Sequence, residues 1–182
     1  TLLPGLCEDR IQKDECIPIR GPDKAGKTTF LEQAKKRFNK TNKGMSLSKI
    51  TTTVGLNVGT VGVGKAHLMF WDLGGQEELQ SLWDKYQAQG HGAIYVTDST
   101  SEKRLAESKG TFVKMVTSEA HPSAGQQPSL QTCLSIPIIK TFSTVPPRLG
   151  GRTQACSTLT RKGVKEGIKR MLKCVMGNSH QP

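Results

Sequence analysis

Gly21-Pro22-Asp23-Lys24-Ala25-Gly26-Lys27-Thr28 is the stretch that decides the fold of this chain. It satisfies GxxxxGK[ST] at every constrained position, and its flanks supply the context the pattern needs. Cys16-Ile17-Pro18-Ile19 ahead of it reads as a short buried strand. Behind it, Lys27 to Asn39 carries Phe30, Leu31, Ala34 and Phe38 at helical spacing, with charges between them. A strand, a glycine-bearing turn and an amphipathic helix in that order make a phosphate cradle. Glycines let backbone N–H groups converge on an anion, and the helix start points its positive dipole end at the same place. In this pattern Lys27 reaches the β- and γ-phosphates of a nucleotide, and the Thr28 hydroxyl ligates Mg²⁺. Gly21, Asp23, Lys24, Ala25, Gly26 and Thr29 complete the expected binding loop. Two neighbours count against it. Pro18 is expected to remove a ladder N–H from the middle of the sheet, and Arg20 places a charge at the buried end of the same strand. Either is expected to cost a few kcal/mol out of a total stability of ~5–15.

Outward from the loop, strand-like and helix-like segments alternate, which argues for an α/β fold with a mainly parallel central sheet and helices on both faces. Gly44 to Thr52 is polar and loop-like. Val54, Leu56 and Val58, a Gly-rich turn at Gly62 to Lys65, and Leu68 to Trp71 read as a hairpin. Ala93 to Val96 is a further buried strand. Ser99 and Glu102 have capping-box spacing, and Leu105, Phe112, Val113 and Val116 give the next helix its apolar side. Glu119 to Thr132 holds two prolines and almost nothing to bury, so it reads as loop. Cys133 to Phe142 is apolar but broken by Pro137. Val145 to Gly151 is again loop-like, so the fold is expected to be irregular over 119–152. Val164, Ile168, Met171, Leu172 and Val175 form a closing helical stripe beside Lys165, Lys169, Arg170 and Lys173.

Two more motifs follow the loop in order. They are Thr51-Thr52-Thr53-Val54-Gly55 and Trp71-Asp72-Leu73-Gly74-Gly75-Gln76. With the stretches Lys43 to Ile50 and Gln76 to Tyr86, they make the chain resemble the Arf family of small GTPases. The resemblance runs from about Gly21 to Val116 and returns in Leu134 to Pro137 and Thr153 to Val175. It implies a P-loop small-GTPase fold with GTP or GDP and Mg²⁺ as cofactors. It implies that Thr53 closes onto Mg²⁺ and the γ-phosphate, and that Asp72 holds Mg²⁺ through water. By the same resemblance the Gly75 N–H senses the γ-phosphate, and Gln76, the catalytic residue, orients the attacking water. Ser157 and Thr158 align with the loop that meets the guanine oxygen. There Thr158 is bulkier than the customary alanine, and Arg161 replaces a customary glycine. Trp71, Leu82 and Tyr86 fall where the family presents an apolar patch to effectors. The hairpin between the switches slides along the sheet in the family as nucleotide changes.

The family's Asn-Lys-x-Asp element, whose aspartate selects guanine, occurs nowhere in the chain. Its place falls in Glu119 to Thr132, and the fifth strand is expected to be missing with it. Losing a bidentate bond to a charged group weakens binding by roughly two to four powers of ten. Two readings follow. One is an Arf-like GTP-binding switch in Golgi membrane traffic, with weak hydrolysis assisted by an activating protein. The other is a divergent, non-hydrolysing copy that binds nucleotide weakly and without base preference and acts as a protein-interaction module.

Composition sets the remaining bounds. At 182 residues there is room for one domain, 1–182, with 1–15 as an N-terminal segment. The net charge of +11 favours phosphates of any kind. The Arg161 to Lys173 helix could rest on an anionic membrane, although such charges on a terminal helix are more often a solvated face. Aromatics make up only 5% of the chain and no nucleic-acid motif is found, so no nucleic-acid partner is expected. Five cysteines without CxxC spacing point to free thiols in a reducing cytoplasm. The apolar runs are too short to span a bilayer, and Thr1 to Leu6 carry neither a secretory flank nor a Met-Gly start. The expected location is cytoplasmic, peripheral to the Golgi membrane. The expected partners are an exchange factor, an activating protein and effectors acting at the switch regions.

Overall fold

The apolar run before the glycine loop forms β1 (Asp14–Arg20), a middle strand of a six-stranded sheet. The structure, a computed structural model, describes residues 14–39, 45–87, 89–100, 102–117, 133–138, 152–158 and 160–178. The sheet has the order β2-β3-β1-β4-β5-β6. Its other strands are β2 (Leu56–Val63), β3 (Ala66–Leu73), β4 (Ala93–Asp98), β5 (Cys133–Ile138) and β6 (Arg152–Thr153). Only β2 runs antiparallel to its neighbour, as the second arm of a hairpin needs, and the other pairings are parallel.

Because strand side chains alternate, the sheet builds a core on each face. Ile17, Ile19, Leu68, Phe70, Ile94 and Val96 pack with Phe30, Leu31 and Ala34 of α1 (Lys27–Phe38) and with Val164, Ile168, Met171 and Val175 of α4 (Val164–Asn178). Leu73 and Tyr95 face the other way, toward Trp83 of α2 (Trp83–Gln87) and Phe112 of α3 (Glu102–Thr117). Tyr95 meets Phe112 edge to face at 4.9 Å and donates its hydroxyl to the Ser108 carbonyl at 2.8 Å. Each large side chain buried in these layers contributes about 1.5–3 kcal/mol. Helices therefore cover both faces, as the alternating pattern required. Among the described residues no helix is long and apolar enough to cross a membrane.

Several expectations need correction. The fifth strand is present: Cys133–Ile138 pairs with β4 from Ala93↔Cys133 to Asp98↔Ile138. Pro137 stands beyond the stretch that pairs with β6, which covers only Leu134 and Ser135, so its missing N–H breaks no bond of that ladder. The loop readings of Glu119 to Thr132 and Val145 to Gly151 lie outside the described residues, as does almost all of the N-terminal segment. Val54 precedes β2 and is exposed, and so is Val113, which the helical stripe had counted as buried. Ahead of α3, which begins at Glu102, Asp98 Oδ1 accepts the Thr100 N–H.

Pro18 and Arg20 are both accommodated. The Cys16 N–H donates to His91 Nδ1 at 2.9 Å, and Cys16 O accepts the His91 N–H at 2.8 Å. Even-numbered residues of β1 thus turn their backbone toward the β4 side, but the β4 ladder starts only at Ile19↔Ile94. Pro18 stands before that ladder and lies so close to Gly90 that a Cβ there would come within 2.7 Å of its Cδ. Arg20 is buried, and its Nη2 donates to the Trp83 carbonyl at 2.9 Å.

Candidate functional site

The loop leaves β1 through Gly21 at φ +140°, where a Cβ would stand 2.0 Å from the Val96 carbonyl oxygen, so no side chain fits. Lys24 at φ +55° and Gly26 at φ +91° then fold the backbone into a concavity of the kind that gathers N–H groups. Gly26 is the N-cap of α1, with no side-chain cap and no acidic residue in the first turn. The helix start is left for an anion to satisfy.

Around this loop lies a cleft of about 190 Å³. Of the expected binding residues, Asp23, Lys24, Gly26, Lys27, Thr28, Thr29, Thr53 and Gly75 line it. Gly21 and Ala25 are not among the lining residues, and Ala25 is buried in the core. Ile50, Thr51 and Thr52, quoted with the motifs but not named there as binding residues, line it as well. Gly75 sits so tightly on the loop that a Cβ would meet Lys27 Nζ at 2.3 Å and the Asp23 nitrogen at 2.6 Å. Gln76 follows at φ −62°, half-buried outside the lining, and starts a 3-10 turn over Glu77–Leu82. Ser157 and Thr158 lie between β6 and α4, apart from the cleft. Thr158 is buried, and Ser157 Oγ accepts the Thr160 N–H at 3.2 Å. Arg161 has φ +63°, which is why glycine is customary at this place. Asn-Lys-x-Asp remains absent from the chain, and the place expected for it lies outside the described residues.

Thr28, Thr53 and Asp72 converge although 25 and 44 residues separate Thr28 from the other two. Thr28 Oγ1 donates to Asp72 Oδ2 at 2.7 Å and lies 2.9 Å from Thr53 Oγ1. Thr53 Oγ1 and Asn57 Nδ2 each approach the same Oδ2 at 3.4 Å. Asp72 Oδ1 is buried and takes no hydrogen bond among the described residues. Burial raises the Asp72 carboxyl, and the Thr28 hydrogen bond and the Lys27 charge oppose that shift. A buried carboxylate oxygen without a partner, beside two hydroxyls, is an all-oxygen donor set that suits a hard divalent cation.

Lys27 Nζ donates to Gly21 O at 2.9 Å and Pro22 O at 2.8 Å, curled over its own loop. Burial pulls its pKa down to about 8, against the attraction of Asp72 and Asp23 and with repulsion from Arg104. The two segments that carry Thr53 and Gly75 are tied together where the Gly74 N–H donates to Gly55 O at 2.9 Å. Trp83 Nε1 holds Gly74 O at 3.1 Å, and Gln80 Nε2 holds Gly75 O at 3.2 Å. Beside them, Trp71 meets Tyr86 edge to face at 5.4 Å, while Val58, paired with Trp71, is exposed. The Leu82 side chain lies outside the described residues.

A mainly parallel sheet, a glycine loop opening α1, and two further segments closing on that loop define the P-loop fold of the small GTPases. The sequence profile of Arf, the ADP-ribosylation factor family, matches residues 7–125, and the chain belongs to that family. It is 65% identical over 192 residues to ADP-ribosylation factor-related protein 1 of Bos taurus and of Homo sapiens, covering 100% of this chain and 96% of theirs. With 182 residues here, at least ten residues of those relatives have no counterpart in this chain. ADP-ribosylation factor-like protein 3 of Saccharomyces cerevisiae is 36% identical over 182 residues, covering 94% of this chain and 91% of that one. Among solved structures, the Arl6 BBS3 small GTPase from Trypanosoma brucei, with the nucleotide analogue GppNp bound, superposes with a TM-score of 0.66. It covers 90% of this chain and 98% of its own at 23% identity, a likeness of fold alone.

Proposed function

We propose that this Arf-family small GTPase is a guanine-nucleotide switch of Golgi membrane traffic, built as one domain over 1–182, with slow GTP hydrolysis assisted by an activating protein. The convergence of Thr28, Thr53 and Asp72 beside Lys27 and Gly75 carries the reading, because it assembles three separate motifs around one phosphate-sized cleft. Backbone N–H groups of the loop with Gly21, Asp23, Lys24, Ala25, Gly26 and Thr29 cradle the phosphates. Lys27 leaves its two carbonyls for the β- and γ-phosphates, a better partner for an ammonium pulled down by burial. Thr28, Thr53 and Asp72 would hold Mg²⁺, which when bound would offset the charge of the phosphates. The Gly75 N–H meets the γ-phosphate, and Gln76 orients the water that attacks it. Ser157 and Thr158 form the base loop. The exposed β2 face with Trp71 and Tyr86 receives effectors, and the exchange factor and activating protein work on the same switch segments. The exposed cations of α4 rest on anionic lipid.

A second reading, nucleotide binding without base preference and without hydrolysis, is favoured by two observations. The guanine-selecting motif is absent from the sequence, and the base loop carries Arg161 in a left-handed conformation. One titration separates the two. A fluorescent GDP or GTP analogue is bound in Mg²⁺ and competed with GTP, GDP and ATP in turn. Displacement by guanine nucleotides alone upholds the switch. Equal displacement by ATP leaves a phosphate site without base selection, and no binding at all sinks both.

A further inference from the structure

Arg104 stands in the first turns of α3, outside every motif that describes the phosphate site, yet it reaches the loop. Its Nη2 donates to the main-chain oxygen of Asp23, 81 residues earlier. Its Nε is buried without a hydrogen-bond partner among the described residues, 3.8 Å from Glu107 Oε2. Its charge also bears on Lys27, so two cations stand near one another beside the cleft. That is unfavourable until an anion arrives, so the contact calls for a reason beyond packing.

Loop geometry supplies one. Lys24 takes φ +55°, a conformation that residues with a Cβ avoid, so the peptide ahead of it has to be held from outside. A trans peptide is planar, with its C=O and N–H pointing in opposite directions. When Arg104 draws the Asp23 oxygen toward α3, the Lys24 N–H on the same plane is turned the other way, toward the cleft that Asp23 and Lys24 line. Gly75 packs near the same residue, since a Cβ on it would come within 2.6 Å of the Asp23 nitrogen. We propose that Arg104 is a positioning residue for phosphate binding, fixing the Asp23–Lys24 peptide so that the Lys24 N–H is presented to the bound phosphates. The inference rests on the nucleotide-site reading above.

The test uses the full chain with Arg104→Met, which keeps the apolar stem, and Arg104→Lys, which keeps the charge and one donor end. In ligand-free protein, amide hydrogen exchange of the segment 21–26 rises about tenfold in Arg104→Met, the loss of one hydrogen bond to a charged group. The rest of the sheet is unchanged, and Arg104→Lys restores much of the protection. Release of a fluorescent GDP analogue quickens by a similar factor. In a Lys24→Gly background the effect of Arg104→Met on release shrinks to under about threefold, because glycine holds a positive φ without an anchor. Unchanged loop exchange in Arg104→Met overturns the proposal whatever nucleotide does. Exchange raised across the whole sheet also overturns it and makes Arg104 a general stabiliser. If wild type binds no nucleotide but loop exchange still rises locally, the nucleotide reading falls and the peptide-holding role stands.

Discussion

Arg161, like Lys24, holds a left-handed conformation that a residue with a Cβ rarely adopts. It is exposed at φ +63°, ahead of Gly163 at φ +81°, where the chain turns from the Ser157–Thr158 loop into α4. A left-handed residue with a Cβ costs about 1–2 kcal/mol, partly offset by the unfolded-state entropy that glycine would bring. Arg161→Gly is therefore expected to stabilise the protein by about 1 kcal/mol and raise the midpoint of thermal unfolding by ~2–4 °C. A calorimetric scan showing no rise would mean that the arginine side chain makes a contact of equal worth. At this scale the sequence was legible where function is local. The eight residues from Gly21 to Thr28 announce themselves because their spacing is the chemistry. Arg104 was not legible, since its partner is a backbone oxygen 81 residues away and leaves no residue-type signature. Arg20 was legible as a charge, but its partner, the Trp83 carbonyl, was hidden for the same reason.

Edge strand β2 shows how one element holds another. Asn39, at the end of α1, donates Nδ2 to Thr60 O at 2.9 Å and accepts the Gly62 N–H on Oδ1 at 3.2 Å. Its amide thus stands in for a neighbouring strand at two positions and blunts the open edge. Lys35 lies across Gly59 so closely that a Cβ there would meet its Cε at 2.3 Å, and its ammonium is held by Glu32 at 2.8 Å. Glu32 also accepts the Met45 N–H at 2.7 Å, which ties the segment leading to Thr53 to α1. Asn39→Ala is expected to lower stability by about 1–2 kcal/mol, the worth of two hydrogen bonds, one exposed and one part-buried. Urea unfolding would reveal it, and a loss below a few tenths would mean that water replaces the amide fully. Elements were otherwise read correctly where periodicity ran long, as in α1 and α4. It failed at Cys133–Ile138, because a six-residue apolar run containing a proline gives no period to judge, and only the pairing with β4 identifies it.

Across the whole molecule, each face of the sheet hides a weak acid. Cys156 lies in the layer with α1 and α4, and burial pushes its thiol up to about 12. Tyr95 lies in the opposite layer, and burial, opposed by its hydrogen bond to Ser108, pushes its phenol up to about 12. Both groups ionise more readily in the unfolded chain, from 9.0 and 10.0 respectively, so the folded state binds more protons in that window. Their contribution is complete below about pH 9 and is lost as pH rises toward 12, by roughly several kcal/mol in sum. Alkaline unfolding is thus expected between pH 9 and 12, and Cys156→Ala should move its midpoint upward. An unmoved midpoint would assign the transition to other groups. The bond from Arg20 to Trp83 has a consequence on this scale too. It fastens the middle strand to the first residue of α2, so the segment behind Gln76 cannot drift off without exposing a cation from the core. Local loosening there becomes part of the same cooperative unit as global unfolding. In native-state hydrogen exchange the amides of 83–87 should open with the free energy of β1, and Arg20→Met should split them into a separate, weaker foldon.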